Sequence, residues 1–424
     1  MRRSFRAAGA LVAFAAFSIG QVRAQSAGAN PDVSVIPSFL LCPWGEGNCA
    51  YDEADGKLNL EEVELALQGY LNPFVRADVF FAYHEGDFEV EEAYASFVRG
   101  LGPFQARLGK YRVEWRSLNA LHPHAYSWIF QPLVEERMFG GHGLAQIAAG
   151  GDVSFPAGDR GELRFGLDVL RGDLADGHGH EGEDGDAAAV VCVGPGCVEG
   201  ACVPSVGECA LVPVETPPAE PGANPEPGYH LRASWFEELR PGHSVLVAID
   251  GLDGTIEPAL DRKVRWIGAS FKYRWRPNRY RSLNVLASYL RNEADLAEEV
   301  AAGTTCIGPD CSPEGVCDGP LCEEIEILEE IRSGSIATSG WYAIADWQFA
   351  QRWNAGVKLD RSQGLETEDA IRRVETFVNF RLMEESTLIR LLLRREDGDA
   401  YASAHDSAAI QLLFILGPHR PHPF

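Results

Sequence analysis

His178 and His180 lie amid five acids in the run Asp176-Gly-His-Gly-His-Glu-Gly-Glu-Asp-Gly-Asp186. With Glu181 and Glu183 they offer imidazole nitrogens and carboxylate oxygens, a donor set that suits a divalent cation. A solvated acidic loop has the same composition. Ten cysteines form three groups: Cys42 and Cys49; Cys192, Cys197, Cys202 and Cys209; Cys306, Cys311, Cys317 and Cys322. An even number in each group of an exported chain implies disulfides within each group, Cys42 with Cys49 first; four cysteines allow three pairings, which stay open. Zinc is the weaker reading, because four to six residues separate neighbouring cysteines where zinc sites favour Cys-x-x-Cys.

Other constellations are incomplete. Asp55-Gly-Lys-Leu58 with Glu62 imitates the second half of an EF-hand loop, but Tyr51 stands where the first carboxylate ligand belongs. Gly242-His-Ser244 begins like a nucleophile elbow, yet Leu246 takes the fifth position and no helix follows. There is no Walker loop, dinucleotide fingerprint or His-Glu-x-x-His. An enzyme is therefore not expected, and no cofactor is implied.

The elements that must position these residues are strands. Residues 1–24 read as a secretory signal peptide: Arg2, Arg3 and Arg6, an apolar run from Ala7 to Ile19, and Val22-Arg-Ala24 before the cut. Removing them takes four arginines and no acid, leaving 33 basic and 62 acidic residues, net −29. Nucleic acid is not expected as a partner at that charge. No later stretch reaches the length of an apolar spanning helix. An exported chain without such a helix is either soluble or a β-barrel.

Period-two alternation fits both, and its recurrence to the end of the chain with every other turn long decides between them. Val63, Leu65 and Leu67 share one face against Glu64 and Gln68; Val75, Ala77, Val79 and Phe81 oppose Arg76 and Asp78. The pattern recurs through sixteen candidate strands, from 33–41 to 406–416, with 89–98 ambiguous because Glu91 shares parity with Phe97. Connections alternate between tight turns such as Asn72-Pro73 and long loops at 42–59, 113–143, 172–227 and 292–337. All ten cysteines fall in the long loops. Short turns on one rim and long loops on the other are the layout of an antiparallel transmembrane β-barrel in the outer membrane. Residues 25–424 are expected to be one such barrel, closed by 406–416 against 33–41. Ala408, Ile410, Leu412 and Phe414 would face lipid, with Phe424 as terminal aromatic.

Val63-Glu-Leu-Ala-Leu-Gln-Gly-Tyr-Leu-Asn-Pro73, Glu92-Ala-Tyr94, Arg107-Leu-Gly-Lys-Tyr111 and Gln131-Pro-Leu-Val134 resemble the first half of the phosphate-selective porins O and P. The resemblance covers about a quarter of the chain. It implies a sixteen-strand barrel assembling as a homotrimer, narrowed by an inward-folded third loop, which residues 113–143 match in order and size. The family's lysine and arginine ladder is not matched: candidate lumen positions mix Arg76, Arg107, Arg164, Arg232, Lys358 and Arg390 with Glu64, Asp78, Asp168, Asp250, Asp346 and Glu375. The expected function is a passive channel for small hydrophilic solutes or ions in outer-membrane lipid. The alternative is a surface barrel that takes up divalent metal through its His/acidic loop. At the constriction the polar groups expected to meet a passing ion are Arg116, His122, His124, Glu135, Glu136 and Arg137. Salt bridges from these residues to the wall are the competing role. If the histidines line the channel, conductance should vary between about pH 5 and 8.

Overall fold

Alternation of apolar and polar side chains produces sixteen antiparallel strands in register around one closed barrel. The computed structural model describes residues 31–418 apart from 46–56, 85, 116, 141–142, 173, 175–189, 194–196, 199–200, 203–209, 214–225, 259, 308–322, 384–385, 400 and 402; within 190–213 and 299–330 it describes backbone only. The barrel strands are β1 (Asp32–Gly45), β2 (Leu58–Asn72), β3 (Val75–His84), β4 (Asp87–Phe97), β5 (Phe104–Arg112), β6 (Ala145–Ala157), β7 (Gly161–Leu170) and β8 (Gly228–Arg240). They continue as β9 (His243–Glu257), β10 (Arg262–Asn278), β11 (Arg281–Ile307), β12 (Glu323–Ala350), β13 (Trp353–Ser362), β14 (Ile371–Arg381), β15 (Thr387–Gly398) and β16 (His405–Phe414). Each strand pairs with its sequence neighbour, and β1 pairs with β16 through Ser38 with Leu413 and Leu41 with Ile410. On β16 the inner face is Ala409, Gln411 and Leu413, all buried, and Ala408, Ile410, Leu412 and Phe414 take the outer face. Phe424, the signal segment 1–24 and the 176–186 loop lie outside the described residues.

The two faces are inverted relative to a soluble protein. Leu231, Ile249 and Ile267 on the outside are 58%, 61% and 54% exposed, while Arg232 and Asp250 beside them on the inside are 6% and 1% exposed. Only a surface covered by an apolar medium tolerates that arrangement around a whole sheet. No helix among the described residues is long and apolar enough to cross a membrane, a statement that does not bear on strands.

Three features differ from the sequence expectation. β11 and β12 have 27 and 28 residues and pair from Ser282 with Gln348 up to Ile307 with Glu323, so most of 292–337 is a two-stranded extension rather than a loop. Its alternating β-branched residues, Ile325, Ile327 and Ile331 among them, favour strand, but the interspersed glutamates mask the pattern. A helix, α1 (Leu133–Phe139), forms within 113–143. Pro132 sets its entry, Glu135 and Glu136 sit in its first turn with Arg137 in its last, and Gly140 at φ 71° ends it. Two bulges also double the inner face. The register shift between Ser38 and Phe39 adds Glu61 beside Glu62, and the shift between Phe80 and Phe81 adds Glu91 beside Glu92. The second bulge is the source of the ambiguous parity of strand 89–98.

Candidate functional site

Residues 113–143 fold into the barrel and reach its wall on several sides. Burial explains the direction: Trp115, Tyr126, Trp128, Ile129 and Phe139 are all buried, each such large side chain contributing on the order of 2 kcal/mol. They find an apolar wall prepared for them. Phe139 packs edge-on to Trp266 of β10 with centroids 4.7 Å apart and to Trp115 at 6.1 Å, and Trp128 lies 6.4 Å from Phe377 of β14. Leu252, Leu286, Leu290 and Ile344, on inner positions of β9, β11 and β12, complete this core.

Polar anchors fix the loop around the circumference. On one side Arg232 of β8 donates to the Glu114 carbonyl at 2.9 Å, and Arg164 of β7 pairs with the Glu114 carboxylate at 2.9 Å. Ser117 meets Ser270 of β10 at 3.1 Å. Opposite, Ser127 donates to Asp346 of β12 at 2.8 Å, and Lys358 of β13 donates to the Phe130 and Gln131 carbonyls at 2.7 and 3.1 Å. Arg390 of β15 donates to the His124 carbonyl at 2.7 Å and to the Tyr126 carbonyl, and Arg394 covers the Phe130 ring. Backbone carbonyls that would otherwise be buried without donors are thereby satisfied.

Of the polar residues expected at the constriction, Glu136 pairs with Arg373 of β14 at 2.8 Å, and Arg137 donates to the Ser362 and Asp369 carbonyls at 2.8 and 3.0 Å. Glu135 is buried on α1, and Arg116 lies outside the described residues. The two histidines meet an acidic wall. His122 Nδ1 is 3.0 Å from Glu64 Oε2 of β2 and 3.3 Å from Glu91 Oε2 of β4, its Nε2 is 2.7 Å from Glu92 Oε1, and His124 Nδ1 is 3.1 Å from Glu64 Oε2. Arg112 holds Glu91 at 2.8 Å and, through its backbone N–H, Glu92 at 2.8 Å. Burial works against a charge on His122, but the Glu64 carboxylate and the contacts to Glu91 and Glu92 outweigh it and hold its pKa well above the ordinary value. The charged form of His122 is thereby favoured. Two overlapping sets of groups here have metal-ligand spacing: Glu64, His122 and His124, and Glu62, Glu64 and Glu91, the donor atoms of each set within 4.8 Å of one another. Glu64 is one of the expected lumen positions, whereas Glu62, Glu91 and Glu92 are not among the expected site residues. The repeated Glu-Glu pairs that interrupt alternation at 61–62 and 91–92 were the available signal.

The remaining lumen residues surround space on the short-turn side of the loop. Arg76 pairs with Asp78, which also accepts from Gln68 at 2.9 Å. Arg107 lies over the Tyr111 ring at 4.8 Å and 3.9 Å from Glu114; Asp168 accepts from Tyr111 at 2.6 Å and meets His230 at 2.8 Å. The side chains of Arg76, Arg107 and Arg164 keep 27%, 20% and 31% exposure, so solvent reaches this half of the lumen. A cavity of about 360 Å³ opens at the short-turn end, lined by Arg160, Glu238, His243, Arg274 and Arg276 among others. Lys272 stands above Arg274 on the same face of β10. Cys42 on β1 is disulfide-bonded. Cys49, Cys209, Cys311, Cys317 and Cys322 lie outside the described residues, as do the side chains of Cys192, Cys197, Cys202 and Cys306, so their pairings do too; so do His178, His180, Glu181 and Glu183.

No family model matches the chain. An uncharacterised protein of Aquifex aeolicus (strain VF5) is 35% identical over 141 residues, which span 32% of this chain and 29% of that relative. Among solved structures, the OmpF of Salmonella typhi in complex with daunomycin is similar at 10% identity and a TM-score of 0.49, over 91% of this chain and 97% of that one. The anion-selective porin of Comamonas acidovorans is similar at 8% identity and a TM-score of 0.48, over 91% and 98%. The outer membrane channel DcaP of Acinetobacter baumannii is similar at 9% identity and a TM-score of 0.48, over 92% and 99%.

Proposed function

We propose that this chain is an outer-membrane, porin-type channel through which small hydrophilic solutes or ions diffuse passively, selected by width and by lumen charge. One observation carries the reading: a closed sixteen-strand barrel whose outer face is apolar and inner face charged, with the 113–143 loop folded inside. A sixteen-strand barrel encloses an aqueous space that its own side chains do not fill. Here the loop's aromatic core packs against the side of β9–β14, and the arginines of β3, β5 and β7 border what remains. Passage then runs past Arg76, Arg107 and Arg164 and leaves by the cavity between Arg160 and Arg276. Homotrimer assembly belongs to the same proposal, on the resemblance described above. The test is single-channel recording on full-length protein refolded into lipid. Discrete ohmic steps are expected; a folded, inserted barrel that passes no current would overturn the reading.

A further inference from the structure

We propose that Glu64, His122 and His124, with Glu91 as fourth donor, form a site for a divalent transition-metal ion that clasps the lumen loop to strands β2 and β4. The proposal concerns a site apart from the 176–186 loop, and it does not require the barrel to conduct.

Donor geometry is the first support. Tetrahedral zinc with bonds of about 2.0–2.1 Å places its ligand atoms roughly 3.3 Å apart. Glu64 Oε2 stands 3.0 Å from His122 Nδ1 and 3.1 Å from His124 Nδ1, and Glu91 Oε2 stands 3.3 Å from His122 Nδ1.

The second support is what these atoms lack. Glu64 is fully buried, neither of its carboxylate oxygens makes a hydrogen bond, and Glu91 Oε2 and His122 Nδ1 make none either. His122 turns its other ring nitrogen to Glu92 at 2.7 Å and faces two carboxylate oxygens with Nδ1, where a metal ion would take the place of a proton. Donor atoms gathered so closely in a buried place call for positive charge among them, which a metal ion supplies in place of ring protons. A carboxylate holding the outer nitrogen of a metal-bound histidine is the usual supporting arrangement, and Glu92 supplies it. Two imidazoles with carboxylates select zinc or a neighbouring first-row ion over calcium or magnesium. Glu62 brings a further carboxylate to the group, so a 2+ ion would also offset acidic charge there.

Because the site is buried, the ion is loaded during refolding. Full-length protein is refolded with Zn²⁺, freed of excess ion, and its metal content measured by mass spectrometry. Co²⁺ loading provides an absorption spectrum of tetrahedral nitrogen and oxygen ligands. His178→Ala/His180→Ala removes the histidines of the acidic loop and should retain one equivalent per chain. In that background Glu64→Gln and His124→Ala should each lower zinc content at least tenfold and abolish the cobalt band, and Glu92→Gln should weaken retention about tenfold. Barrel assembly is checked by heat-modifiable electrophoretic mobility, and His124→Ala serves if Glu64→Gln fails to assemble. Assembled variants that keep the same zinc content and cobalt spectrum would overturn the proposal and leave an ion-pair cluster. Zinc bound here in a barrel that passes no current would overturn the channel reading alone.

Discussion

Lys358 reaches across the lumen side of β13 to donate to the Phe130 carbonyl at 2.7 Å, while the same ammonium lies 2.7 Å from Glu375 Oε2. One buried charge thus joins loop to wall and neutralises the strand beside it. Lys358→Met removes both contacts and leaves Glu375 with Arg394 at 2.8 Å as its remaining ion pair in the wall. Breaking a buried pair on one side costs about 3–5 kcal/mol. Guanidinium unfolding of the refolded barrel should shift by an amount of that order, and open-channel current should become noisier as 130–131 loosens. A variant with wild-type stability and quiet current would show that Lys358 anchors nothing.

Deleting residues 118–134 should raise conductance while the barrel still assembles, since the strands close on each other without the loop. Unchanged conductance in an assembled deletion variant would mean that the constriction lies elsewhere.

Lys272 and Arg274 carry positive charge towards the short-turn mouth. Replacing both with glutamate should move the reversal potential in a salt gradient towards cations, by an amount that shrinks as ionic strength rises. A reversal potential equal to that of the wild type at low salt would remove these residues from the conduction path.

Gly150 of β6 sits where a methyl group would fall 1.8 Å from Asp168 Oδ1 and 2.6 Å from the Tyr111 hydroxyl. Gly150→Ala should therefore break the Tyr111 to Asp168 hydrogen bond and cost about 1–3 kcal/mol, read as a lower denaturant midpoint. An unaltered midpoint would mean that β6 yields there without cost.

The barrel was legible because a wall with lipid outside and water inside must alternate at every strand, as Leu391 and Leu393 do against Arg390 and Arg394. All sixteen strands lie within a few residues of their expected positions except at the outer ends of β11 and β12, where glutamates spaced among isoleucines conceal the alternation. Trp266, Leu286, Leu290 and Ile344 were harder to read. They are apolar on the lumen face, which makes sense only once the loop and α1 cover them, and no local pattern announces a partner more than a hundred residues away. The histidines at 122 and 124 were legible as chemistry and Glu64 as an inward position, but Glu91 and Glu92 were not. Glu61 and Glu91 reach the lumen only through bulges, and a bulge breaks the rule by which faces are assigned.

The bond from Arg390 to the His124 carbonyl joins residues 266 apart in sequence. Eleven of the sixteen strands are made after the loop, so Trp128 and Phe139 have no wall to meet until Phe377 and Trp266 are in place. Closing so long a span carries its entropic cost before any contact rewards it. The chain is therefore expected to mature in two steps, circumference first and interior second. In the interval the barrel is a wider and softer vessel, and its history is written in the order of synthesis.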